Sequence, residues 1–185
     1  YLGDLWQRRD PRGRALLSAI GILGAVPLFV GLFFLPLHEL DIPQGAPPPR
    51  VALAVLASVL TNPWVAGAFL LSLAALALTS VDSPNWFALI SEVNVPEHRG
   101  TVFGLGLLAN GAGRAAGNGL VGVVFAALTP HLPSPLNFAA GLALFQAFFL
   151  PTAYCYYRAS KTAPPDIAEV RKTLAVRARA AVSRP

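Results

Sequence analysis

The chain has no methionine, a single cysteine and little charge. Asp, Glu, Lys and Arg make up 12% of its 185 residues, half the ~25% usual in soluble domains. Cys155 stands alone, which excludes an internal disulfide; near the end of the last apolar stretch, its ordinary role is packing. The three histidines, His38, His98 and His131, fall in connections, and no Cys/His metal spacing is present. Neither a glycine-rich phosphate loop after a strand nor paired carboxylates occur inside the apolar sequence. The expectation is a non-enzyme without catalytic, cofactor-binding or metal-ligating residues. Lacking Met and starting at Tyr1 within a charged stretch, the chain is expected to be a piece of something longer.

What the chain has instead is apolar length. Segments 15–37 and 135–157 carry no charged side chain, 64–91 carries only Asp82, and 101–128 only Arg114. Each exceeds the ~20 apolar residues that a helix needs to cross a hydrocarbon layer. The expected fold is all-α, a polytopic membrane bundle of four transmembrane helices with a basic amphipathic helix at its C-terminal end. The lipid bilayer is its first partner. Three regions follow: residues 1–14, a charged loop; 15–158, the four spans; and 159–185, a tail. The first stretch is too long for a signal peptide and lacks a small-residue cleavage site.

Basic residues set the orientation. With four crossings, all 14 Lys and Arg except Arg50 and Arg114 fall on one side. Basic flanks stay cytoplasmic, so both ends of the chain and the turn at 91–101 are expected in the cytoplasm. A net charge of +5 would otherwise suggest a nucleic-acid partner; topology explains it, and none is expected.

The connection at 38–63 reads as a loop, with Pro43, Gly45, Pro47, Pro48 and Pro49. Inside it, 51–60 is apolar but too short to cross, and is expected to lie at the outer interface or to begin the second span with a kink at Asn62-Pro63. In the turn Asn94-Val95-Pro96-Glu97-His98-Arg99-Gly100-Thr101, Asn94 and Glu97 have capping-box spacing, and Pro96 suits a first helical turn. Tyr154, Tyr156 and Tyr157 suit the headgroup boundary. Beyond Pro164-Pro165, Asp166 is placed to cap a final helix whose apolar residues Ile167, Val170, Leu174, Ala178 and Ala181 recur at helical spacing.

Asp82 and Arg114 are the costly residues. A charge at mid-membrane costs at least ~2.5–3.5 kcal/mol, so such groups face a cavity or each other. Counted from the shared turn, Asp82 lies ~15 Å and Arg114 ~20 Å along their helices, so the two are expected to pair or to share a hydrated cavity. Asn110, Arg114 and Asn118, four apart, form a polar stripe. Gly106, Gly113 and Gly117 form a ridge for helix packing. Asp82, Asn85 and Trp86 occupy neighbouring faces, and Pro84 weakens the helix among them.

The turn at 94–101, following Pro84-Asn85-Trp86-Phe87-Ala88-Leu89-Ile90, resembles the connection between the tenth and eleventh helices of major facilitator superfamily transporters. Leu2-Gly3-Asp4-Leu5-Trp6-Gln7-Arg8-Arg9 through Arg12-Gly13-Arg14 is similar to the superfamily's basic signature loop between the eighth and ninth helices, although Leu5 stands where the pattern usually has a basic residue. This resemblance implies a C-terminal portion of a 12-helix secondary transporter, with the missing N-terminal helices as partner and a small-molecule substrate moved by alternating access. It implies Asp82, Asn85 and Trp86 as cavity residues and Arg114 as a coupling or substrate contact, with Asn110 and Asn118 beside it. Asp4, Arg8, Arg9, Glu97 and Arg99 would form a cytoplasmic gating network. The expected location is the plasma membrane, of bacterial inner-membrane type. The rival expectation is a four-helix membrane scaffold or assembly subunit without transport activity.

Overall fold

The computed structural model describes residues 2–36 and 47–182; the readings placed on His38, Pro43, Gly45 and Arg184 lie outside them. Among the described residues the chain is all-helical, with eight α-helices. They are α1 (Leu2–Arg9), α2 (Gly13–Phe33), α3 (Pro48–Thr61), α4 (Pro63–Ser80), α5 (Asp82–Val93), α6 (Pro96–Leu128), α7 (Leu136–Phe145) and α8 (Phe149–Val182). A 3-10 turn, Gln146–Phe148, joins the last two. Taken across their short breaks, four helical stretches are long and apolar enough to cross a membrane: Gly13–Phe33, Pro63–Val93, Pro96–Leu128 and Leu136–Val182.

The core is built around α2, which packs against α1, α4, α5, α7 and α8. Its buried residues are mostly small: Gly13, Ala15, Ser18, Ala19, Gly21, Ile22 and Ala25. Small side chains at helical spacing let neighbouring backbones close in, which is how helices associate where no water drives them together. The closest approach is at Gly21, where an added Cβ would lie 2.6 Å from the Leu78 carbonyl oxygen of α4. By contrast α6 has no buried residue and meets the bundle mainly through α5 and α7.

Prolines set the breaks. Asn62 is extended (φ −113°, ψ 114°), and its side-chain oxygen accepts from the Trp64 and Val65 amides, so Pro63 opens α4 as a capped helix. The apolar 51–60 segment is therefore the separate helix α3. Pro84 has no N–H to offer the preceding turn, and the second span divides at Val81, leaving Asp82 in the first turn of α5. A carboxylate is favoured at that end of a helix. Pro151 likewise follows the 3-10 turn that separates α7 from α8.

Two local expectations are corrected. Asn94 does not cap α6; its Nδ2 donates to the Ile90 carbonyl at 2.9 Å and closes α5, while Val95 takes the N-cap position without a side-chain bond. Pro96 opens α6, and Arg99 Nε donates back to the Asn94 carbonyl at 3.1 Å. Nor does Asp166 begin a new helix, because α8 continues through Pro164 and Pro165 to Val182. Ala163 and Ile167 are buried there, and the Arg177 guanidinium pairs with Glu97 at the start of α6. Tertiary contact on both sides of the proline pair holds the tail in one helix. Ala178 and Ala181, further out, are exposed.

Candidate functional site

A groove of about 750 Å³ opens between α5 and α6, with α8 beside it. Asp82, Trp86, Asn110, Arg114 and Tyr156 line it, together with Ser83 and Phe87. Its size falls within the ~300–1,000 Å³ of small-molecule sites. One wall is aromatic. Trp86 and Phe87 sit edge-on with centroids 4.8 Å apart, and both touch Phe103, at 6.0 and 5.4 Å. Gly106 makes this possible: an added Cβ would stand 2.6 Å from Trp86 Cζ2.

Asp82 and Arg114 share this groove but form no ion pair. The expected direct pairing is thus absent, and the shared cavity is the arrangement observed. Asp82 instead faces the Tyr156 hydroxyl of α8, and its Oδ1 is buried with no hydrogen-bond partner. Arg114 is exposed on the groove side of α6. The apparent match in depth was real enough to bring the two residues to one cavity. It did not reveal their rotation about their helices.

The other polar residues of these apolar helices divide. Asn110 lies in the groove, one turn before Arg114. Asn118 is exposed and does not line it. Asn85 points elsewhere: it is buried, its Nδ2 donates to the Val81 carbonyl at 3.0 Å, and its Oδ1 packs against Gly3 of α1. Of the expected glycine ridge, only Gly106 meets a neighbour; Gly113 and Gly117 face open space among the described residues.

A second polar cluster occupies the end of the bundle where α1, the start of α2 and the end of α5 converge. Arg14 bridges Asp4 at 2.6 Å and Glu92 at 2.5 Å. Gln7 Nε2 donates to Glu92 at 3.1 Å, and Gln7 Oε1 accepts from the Arg14 amide at 3.2 Å. The Arg14 side chain is only 14% exposed. Its hydrogen bond and charge hold the Asp4 carboxyl below the usual carboxylate range. Arg8 and Arg171 line the adjoining hollow and Arg9 does not; all three are exposed. Of the loop charges singled out from sequence, Asp4 and Glu97 make ion pairs, and Arg99 closes the turn.

Sequence reasoning missed Arg14, Gln7, Glu92 and Tyr156. Gln7 and Glu92 lie on helix ends far apart in sequence, and nothing local marks them as partners. Tyr156 carried a usable signal. It stands apart from Tyr154 and Tyr157 around α8 and shares a face with Thr152 and Ala163, residues that line the α5–α8 interface.

Comparison with protein-family models, with curated proteins and with solved structures gave no match.

Proposed function

We propose that the chain is part of a multi-pass membrane transporter that moves a small solute by alternating access, with the groove between α5 and α6 as its solute path. The observation that carries this reading is the placement of Asp82, Asn110 and Arg114 together in one groove within helices otherwise apolar enough for a bilayer. Intramembrane ionisable groups are costly and mark substrate or ion pathways when they face a cavity. Exposed Leu, Phe and Val residues along the outer faces, among them Phe69, Leu70, Leu73, Leu108 and Phe148, suit contact with lipid chains.

On this reading the four spans correspond to the ninth to twelfth helices of a major facilitator superfamily transporter, and the preceding helices complete the cavity. The bare face of α6 fits that role, since a helix without buried residues leaves room for the other half of the fold. The charged end, with Arg14, Asp4 and Glu92, is then cytoplasmic, as the positive-inside rule directs, in a bacterial inner membrane. Asp82 is the coupling group, carrying a proton between the two faces.

The test is uptake and efflux by the full-length protein in sealed vesicles, with a panel of solutes and an imposed pH gradient. Transport that follows the gradient in the wild type and loses that dependence in Asp82→Asn is the expected result. Vesicles that move no solute in either direction would leave the scaffold reading standing.

A further inference from the structure

Two opposite charges lie in one groove and do not neutralise each other. Within a membrane that is an unusual economy, because unpaired charges of opposite sign attract strongly at low dielectric and each is costly to leave unmatched. Asp82 has one carboxylate oxygen buried without a partner, and its other neighbour is a neutral phenol, Tyr156. Arg114 reaches the same groove from α6 and is exposed. Trp86 and Phe87 line the same groove and give it an apolar aromatic surface.

These features select among solutes. A solute carrying only negative charge suits Arg114 but faces repulsion from Asp82. One carrying only positive charge meets the reverse problem, and a neutral one leaves both groups unmatched. A molecule with a cationic and an anionic group satisfies both, with its body against the aromatic wall. An ammonium group near Trp86 gains further attraction from the ring face, while the planar Arg114 guanidinium favours a carboxylate in bidentate geometry.

We propose that the groove binds a zwitterionic solute of amino-acid type, its ammonium at Asp82 and its carboxylate at Arg114. This rests on the groove being the solute path.

The test uses the full-length protein purified in detergent, with binding read by thermal stabilisation and competition. The probes are phenylalanine, dialanine and γ-aminobutyrate, each beside its carboxamide (cation only) and its N-acetyl form (anion only). At least one zwitterion is expected to bind at least tenfold tighter than both of its blocked forms. Asp82→Asn should remove the advantage over the N-acetyl form, and Arg114→Gln the advantage over the carboxamide. If no zwitterion outbinds its blocked forms in the folded wild type, the proposal fails; this arm needs no variant and is unaffected by one that misfolds. Preference unchanged in both folded variants overturns it as well. Failure of the transport reading looks different. Zwitterion binding without movement into vesicles removes the carrier and keeps the site, whereas transport without zwitterion preference keeps the carrier and removes this inference.

Discussion

Arg14, at the start of α2, meets Glu92, near the end of α5, at 2.5 Å. The contact ties the central helix to the second span, and α1 joins it through Asp4 and Gln7. Because the Arg14 side chain is 14% exposed and that of Glu92 23%, solvent screens the pair only partly. Arg14→Met keeps the aliphatic stem and strands the Glu92 charge. We expect it to lower unfolding stability by about 1.5–3 kcal/mol, the range for hydrogen bonds to charged groups. Arg9→Met, at an exposed position, should leave the thermal midpoint in detergent unchanged. Equal midpoints for the two variants would show that the bridge holds nothing together.

Asp4 gives a pH prediction. Hydrogen bonding to Arg14 and its charge place the folded-state pKa below the ordinary value of 3.8. A depressed carboxylate contributes stability above its unfolded pKa and loses it as pH falls through the folded one. The docking of α1 should therefore be constant from neutral pH down to about 4 and weaken only at more acid values. Trp6, packed beside Gly13, reports this by fluorescence. In Asp4→Asn the acid-dependent contribution from this pair should vanish, and an acid transition of unchanged size would argue against the assignment.

Glycines at three sites should respond differently to alanine. At Gly21 the added methyl meets the Leu78 carbonyl, a backbone atom that cannot turn aside. Gly21→Ala is expected to cost about 1–3 kcal/mol, as overpacked cores do. At Gly106 it meets the Trp86 ring, so Gly106→Ala should shift the tryptophan emission and weaken the α5–α6 contact. Gly117→Ala meets no described neighbour, and any large loss of stability there would locate a contacting helix. Differential scanning fluorimetry on the three variants separates these cases.

Orientation can be read chemically. In a full-length background with Cys155→Ser and any cysteine outside these 185 residues also replaced, Arg50→Cys and Arg99→Cys provide single reporters in the two connections. A membrane-impermeant maleimide applied to intact cells should label position 50 and spare position 99 until the membrane is opened. Labelling of both from the same side would contradict the four-crossing arrangement.

The sequence reveals the number of long apolar helices because helix length is dictated locally, by runs of apolar residues between prolines and charges. It also marks Asp82 and Arg114, since isolated charges stand out against apolar sequence. Rotation is harder to read. Whether Asn85 looks into the groove or towards Gly3, and whether Arg114 reaches Asp82, depends on how helices turn against one another. The nearly uniform apolarity of these spans leaves little amphipathic signal to fix that. Pro164 and Pro165 misled for a related reason: propensity favours a break there, yet contacts at Ile167 and Arg177 lie outside any local window. The small residues that α2 buries, such as Ala15, Ser18 and Ala25, carry no local mark of its central place, because which helix stands in the middle is set by contacts with segments distant in sequence.

At one end α6 is clamped by the edge-on Trp86–Phe103 contact and by Glu97 with Arg177; at the other, Phe125 leans on Phe138 and Gly141 of α7. Its middle, carrying Asn110, Arg114 and Asn118, has no buried residue to grip. Mechanically it is a beam on two supports. Within this chain a sideways load at mid-length bends it with least resistance, and a twist applied at either support is delivered to Arg114 with few contacts among the described residues to absorb it.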